Sequence, residues 1–206
     1  MREYRGKSID NGDWVYGYFL VQPTTLGDKT HIIYDGEYEH AVDPDTAGQH
    51  TELQDKNRRQ IFEGDILLIR RPGRDEQTHY GDNIPLGSYT EPMEPVVTEE
   101  IVSVIFANGW FGYVQTADKP HYTVDDFEAI PLSWALNEST ASNEDELKEL
   151  FSGNWGPRII EGWEDDKDYL FEMYKVSTIE ELIKYVGVEV IGNRWDHPHL
   201  LGEDSK

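Results

Sequence analysis

The residues whose types and spacing best suit chemistry are acids. Asp43, Asp45 and Asp55 are followed closely by Glu63 and Asp65. Paired carboxylates serve general acid–base catalysis or hold Mg²⁺. No spacing rule singles this set out, and Gly64 between the last two explains Glu63-Gly64-Asp65 as a turn entering a strand. Asp196-His197-Pro198-His199 is the densest run of metal-type ligands. A metal needs such groups to converge at about 2 Å, whereas Pro198 is expected to hold the backbone extended and point the two imidazoles apart. There is no Gly-rich phosphate loop, Gly-x-Ser-x-Gly elbow, His-Glu-x-x-His or dinucleotide fingerprint. The sequence therefore assigns no catalytic residue, no metal ligand and no cofactor.

Binding chemistry has more to work with. Lys56, Arg58, Arg59, Arg70, Arg71 and Arg74 are the only basic concentration in the chain. Arg58 and Arg59 precede the apolar strand Ile61–Arg70, and Arg70 and Arg71 end it. At ~3.3 Å per residue the two groups stand about 25–30 Å apart, so they make no single patch. Small β-barrels bind nucleic acids through basic grooves and exposed aromatics, but on a chain of net charge −23 these arginines read as guards of a strand edge. Trp14, Tyr16, Tyr18, Trp110, Phe111 and Tyr113 flank expected hairpin turns and suit a core and its rim. Trp155, Trp163 and Trp195 sit in acidic, irregular surroundings, where tryptophan often anchors a partner. The candidate binding residues are thus Arg58, Arg59, Arg70, Arg71, Trp110 and Trp195.

The elements that must position these residues read mainly as strands. Asn11-Gly12 and Asn108-Gly109 lie between apolar runs and signal hairpins. Trp14–Val21, Ile61–Ile69 and Ile101–Phe106 are apolar on much of both faces and are expected to be neighbouring central strands. The stretch 71–95, with Pro72, Pro85, Pro92 and Pro95, reads as a polar insertion. Beyond residue 137 the pattern turns helical: Ser142 is an expected N-cap before Leu147, Leu150 and Phe151, and Ser177-Thr178 opens a second helix. Val188–Ile191 reads as a short strand that returns to pair with the N-terminal part.

Composition limits the partners. Forty-one acids against eighteen bases give a net charge of −23, and both the first 137 residues and the remainder are strongly negative. Such a surface repels phosphate backbones and anionic membranes. The aromatic share, 12%, supplies enough bulk to fold despite the charge. Without cysteine there is no disulfide or thiolate chemistry. No apolar run approaches the ~20 residues of a membrane helix, and a cytoplasmic location is expected.

Three blocks, in order, also resemble one known family. Arg5-Gly6-Lys7 leads to Gly12-x-Trp14-Val15-Tyr16-Gly17-Tyr18. Val42-Asp-Pro-x-Thr-x-Gly48-Gln-x-Thr51-x-Leu53-x-Asp55-Lys56-Asn57 leads to Ile61-Phe-Glu-Gly-Asp-Ile66. Val190-Ile-Gly-Asn193 leads to Trp195-Asp-x-Pro198-x-Leu200-Leu201. Together they are similar to the motifs of the YopX family of bacteriophage and prophage proteins. Arg58-Arg59 departs from the pattern, standing where a glycine followed by a basic residue is common. The resemblance implies an SH3-like barrel with additions and a phage or prophage origin, and it specifies no activity.

The combined expectation is a mainly β, α+β chain. Residues 1–137 form a small SH3-like β-barrel with its insertion at 71–95, residues 138–185 an α-rich appendage, and residues 186–206 a closing strand and tail. The expected function is non-catalytic binding of a protein partner or a second copy, with nucleic acid and membrane disfavoured. An acidic nucleic-acid mimic that blocks a host enzyme is the alternative, and a metal-dependent hydrolase a weaker one.

Overall fold

In the computed structural model, which describes residues 2–23, 28–80, 88–107, 109–115, 129–153 and 162–202, the chain is mainly β with helices late in the sequence. It divides into two compact units. The first comprises Met1–Leu67, Ile101–Leu132 and Val190–Lys206, and the second Leu68–Glu100 and Ser133–Glu189.

The N-terminal strands are β1 (Tyr4–Lys7), β2 (Trp14–Pro23), β3 (Lys29–Tyr34), β4 (Glu39–Ala41), β5 (Gly48–Gln54) and β6 (Gln60–Phe62). They form one six-stranded sheet in the order β4-β3-β2-β1-β5-β6. A second sheet runs β10-β9-β8-β7-β11, with β7 Asp65–Tyr80, β8 Ser88–Ala107, β9 Trp110–Gln115, β10 Ile130–Pro131 and β11 Gly187–Asn193. Every strand pair with a resolved register is antiparallel. The expected barrel is not what these strands make: they lie in two sheets that do not close.

The reason lies partly in β7 and β8, which are 16 and 20 residues long. Over its described parts the polar stretch 71–95 is strand rather than loop. Thr78 Oγ1 meets Thr90 Oγ1 at 3.1 Å and Arg74 Nη1 donates to the Met93 carbonyl at 2.9 Å, ties expected of a ribbon. Pro92 and Pro95 lie on β8 outside Val102–Ala107, the stretch paired with β9, and proline suits a strand where an edge is free.

The hairpin turns differ from each other. In β8–β9, Ala107 pairs with Trp110, and Gly109 just before Trp110 has φ 88°. Asn108 itself lies outside the described residues. Between β1 and β2 the last pair is Lys7 with Trp14, so Asn11-Gly12 belongs to a longer loop than the expected two-residue turn. Ser8 N–H closes that loop on the Asp13 carbonyl at 2.9 Å.

Of the three expected central strands, β7 and β8 are neighbours, while β2 is an inner strand of the other sheet. The core of the first unit includes Ile33, Ile61, Ile66, Val104 and Tyr113, all fully buried. Each such side chain contributes about 1.5–3 kcal/mol relative to exposure. β2 is different. Tyr16, Tyr18 and Leu20, alternate residues on one face, are 40–47% exposed, so the strand expected to be buried on both faces is open on that one.

The second unit packs α1 (Leu132–Ser139, from its second residue), α2 (Glu144–Ser152), α3 (Trp163–Tyr174) and α4 (Ile179–Tyr185). Leu147, Phe151, Trp163, Leu170 and Leu182 bury themselves with Val97 of β8. Asn143, not Ser142, is the N-cap of α2. Its side-chain oxygen accepts from Glu146 N–H at 3.0 Å, and Glu146 accepts from Ser142 N–H at 2.7 Å. Thr178 and Glu181 build the same reciprocal cap at α4. Trp163 donates its indole N–H to Glu144 at 2.8 Å, while Trp155 lies outside the described residues.

Candidate functional site

The first unit is organised around one buried cation. Arg5 on β1 is 4% exposed and Asp65, which opens β7, is 1% exposed. Nη1 and Oδ1 are 2.6 Å apart, and Nη2 donates to the Glu63 carbonyl at 3.3 Å. Trp14, Phe62 and Trp195 surround the guanidinium with ring centroids at 4.8, 5.1 and 5.9 Å. Asp65 Oδ2 accepts from Phe62 N–H at 2.8 Å. Burial pushes the Asp65 carboxyl above its ordinary value, with Arg5 pulling the other way. The guanidinium is enclosed, so its role is positioning and not reaction.

The last block of the chain closes over this pair. Trp195 sits 5.5 Å from Trp14 between ring centroids and donates its indole N–H to the Asp45 carbonyl at 3.0 Å. A side chain at Gly64, where φ is 77°, would overlap the Trp195 ring. Asp196 accepts from the Lys7 ammonium, from Trp14 Nε1 at 2.8 Å and from Asn193 Nδ2 at 3.0 Å. Burial opposes ionisation of Asp196, but those three donors outweigh it and hold the carboxyl at about 2. Residues from all three motif blocks meet here.

Two of the acids that suggested catalysis, Asp43 and Asp55, are spent on backbone. Asp43 Oδ1 accepts from Asp45 N–H at 3.0 Å and caps the short turn Pro44–Thr46. Asp55 Oδ1 accepts from the N–H groups of Asn57 and Arg59, both at 2.8 Å, and its Oδ2 from Val190 N–H at 3.1 Å. Among the described residues no three His, Asp or Glu side chains converge as a metal would require. The two tail histidines are not splayed by an extended backbone as expected. Pro198 opens the short turn Pro198–Leu201, which suits proline at a first helical position, and the rings pack edge to face at 6.1 Å.

The candidate binding residues are distributed over both units. Arg58 is exposed with φ 64°, in the turn where its N–H bonds the Asp55 carbonyl at 2.9 Å. Arg59 donates Nη1 to the Val190 carbonyl at 3.3 Å. Arg70 donates Nε to Glu99 at 2.7 Å, lies 3.6 Å from Glu189 and covers the Tyr185 ring at 4.7 Å. Arg71 pairs with Glu138 at 3.3 Å and Glu100 at 3.5 Å, and Arg74 pairs with Asp166. Trp110 folds its ring over Gly112, while Trp195 belongs to the buried cluster described above.

Sequence reasoning missed a surface cavity of about 350 Å³ beside β2. Tyr16 and Tyr18 line it, with Arg2, Glu3, Asp35, His50 and Glu52. Gly17 lies between the tyrosines because a side chain there would overlap the Tyr34 carbonyl. Tyr16 is braced edge-on by Phe62 at 5.6 Å and His50 packs against the same ring at 5.0 Å. Glu52 has φ 66° within the register shift between β5 and β6. Asp35 accepts from Tyr38 N–H, bonds His40 Nε2 and accepts from Glu37 N–H, which lowers its carboxyl to about 2. The available signal was the same-face spacing of Tyr16, Tyr18 and Leu20, hidden by the apolar residues between them.

No curated protein and no solved structure matches the chain. The model of the family described as YopX protein matches residues 3–130, more than half of its length and including Arg5, Trp14, Gly64 and Asp65. The chain belongs to the YopX protein family.

Proposed function

We propose that this protein is a phage- or prophage-encoded accessory module that acts by binding another protein and carries out no reaction of its own. The observation that carries this reading is the open face of β2. Tyr16, Tyr18 and Leu20 are exposed together on one side of a strand, with Val21 and Tyr34 also at the surface. Contiguous exposed apolar groups on a charged protein mark interaction surfaces. Family membership supports a phage-type origin. Exposed Arg58 and Arg59 are candidates for a charged rim on the same unit.

A second reading, mimicry of a nucleic acid, is favoured by the net charge of −23. The two differ in salt dependence, because contacts between exposed charges are screened and apolar contacts are not. Affinity capture from host lysate at low and high salt tests both. A partner retained at high salt supports the aromatic surface, and a nucleic-acid-binding partner that added duplex DNA displaces from the chain supports mimicry. Capture of nothing specific overturns the binding reading.

A further inference from the structure

We infer that the cavity beside β2 receives an arginine or lysine side chain from a basic segment of the partner protein. This rests on the protein-binding reading above and identifies what its surface recognises. The cavity joins two chemistries that suit a cation and little else. Tyr16 and Tyr18, both more than 40% exposed, offer aromatic faces from one side of β2. Glu3 and Glu52 line the same space and have no ion pair among the described residues. Aromatic faces beside carboxylates bind ammonium and guanidinium groups through the ring quadrupole and direct charge attraction.

Arg2 is the one permanent cation in the lining and opposes this polarity; with the Gln49 amide turned so that its oxygen faces Arg2, that oxygen accepts from Nη1 at 2.7 Å and the amide nitrogen donates to Tyr4 Oη at 3.2 Å. Asp35 is tied to its own turn and to His40, yet keeps a full negative charge at neutral pH. His50 has its Nε2 buried without a hydrogen-bond partner among the described residues, and in the tautomer with the proton on Nδ1 it can accept an N–H from an entering guanidinium or ammonium group. The volume, about 350 Å³, exceeds one side chain, so neighbouring backbone enters with it. With a net charge of −23, the long-range field draws basic and not acidic segments to the site.

The test uses the full chain and two fluorescent ten-residue peptides, one alternating glycine with arginine and one glycine with citrulline. Anisotropy at about 50 mM salt gives saturable binding of the arginine peptide and none of its neutral counterpart. Tyr18→Ala and Glu52→Gln each weaken it about fivefold to tenfold. Glu180→Gln removes the same charge from the exposed start of α4 and changes it less than about twofold. Circular dichroism confirms that the variants fold. Equal weakening by Glu52→Gln and Glu180→Gln, or equal binding of the citrulline peptide, overturns the assignment. A concentration-dependent dimer abolished by Tyr18→Ala overturns it too, by placing a second copy in the cavity. Lysate capture separates this from the wider reading. A partner held equally by wild type and both cavity variants removes the cavity while protein binding stands; a wild-type chain that holds no partner removes the wider reading itself.

Discussion

Trp14 donates its indole N–H to Asp196 at 2.8 Å, across 182 residues of chain. Lys7 reaches the same carboxylate, and Asn193 completes the set. The beginning of the first unit is thereby fastened to its last segment by a single ionised group.

That fastening is pH-dependent in a direction that can be worked out. The Asp196 carboxyl falls from 3.8 to about 2 in the folded protein. A lowered folded value means the stabilisation is complete above the ordinary carboxylate range and is lost as pH falls towards 2. Asp35 also stands at about 2 and contributes over the same interval. Urea unfolding of wild type and Asp196→Asn between about pH 5 and pH 2 isolates the Asp196 share. The expected result is a gap that is widest at pH 5 and narrows on acidification.

Removing one member of the Arg5–Asp65 pair leaves a buried charge alone. Arg5→Ala and Asp65→Ala are each expected to cost about 3–5 kcal/mol. Replacing both together, Arg5→Met with Asp65→Leu, is expected to cost less than either single change. Equilibrium denaturation of the three variants checks the order.

Gly64→Ala is expected to destabilise by more than about 1 kcal/mol, from a left-handed backbone and overlap with Trp195 together. In a double-mutant cycle with Trp195→Ala the two losses should fall short of additivity by about 0.5–3 kcal/mol, because the second change removes the overlap created by the first. Additive losses would show that the ring does not rest on Gly64.

Arg58 occupies a left-handed conformation at φ 64°. Arg58→Gly is expected to raise stability by about 0.5–1 kcal/mol, since the relief of backbone strain exceeds the added freedom of the unfolded chain. Thermal melting reads the change.

Duplex DNA should not bind at physiological salt. Arg70, Arg71 and Arg74 already face Glu99, Glu138 and Asp166, and a net charge of −23 repels phosphates. A flat mobility-shift titration is the expected outcome, and submicromolar binding abolished by Arg58→Ala with Arg59→Ala would overturn it.

What the sequence made legible was local. Asp55-Lys56-Asn57 read as a turn because a short carboxylate can bond its own backbone, and Asp55 does so. That its second oxygen also takes Val190 N–H is a tertiary fact with no local signature. Tyr16 and Tyr18 were misread because Val15 and Phe19 fill the alternate positions, and a strand apolar at every residue gives no clue to which face opens. Pro72, Pro92 and Pro95 suggested a loop, yet a two-stranded ribbon has free edges that accept them. Arg70 and Arg71 were visible as charges, but their partners Glu99 and Glu138 lie far along the chain.

The order in which the first unit is spelled out has a consequence for its synthesis. The chain leaves that unit after Leu67, returns at Ile101, leaves again after Leu132 and returns only at Val190. The ribosome therefore completes all the helices before it delivers Trp195 and Asp196. Until those residues emerge, Trp14 and the Lys7 ammonium wait without their acceptor, and Gly64 has no ring to cover it. A nascent chain stalled at residue 190 should be cut by protease within residues 1–67 more readily than one released past residue 202. Translation thus supplies the fastener only after residues 1–67 and helices α1 to α4 have been made, so the first unit is held together late in its own synthesis.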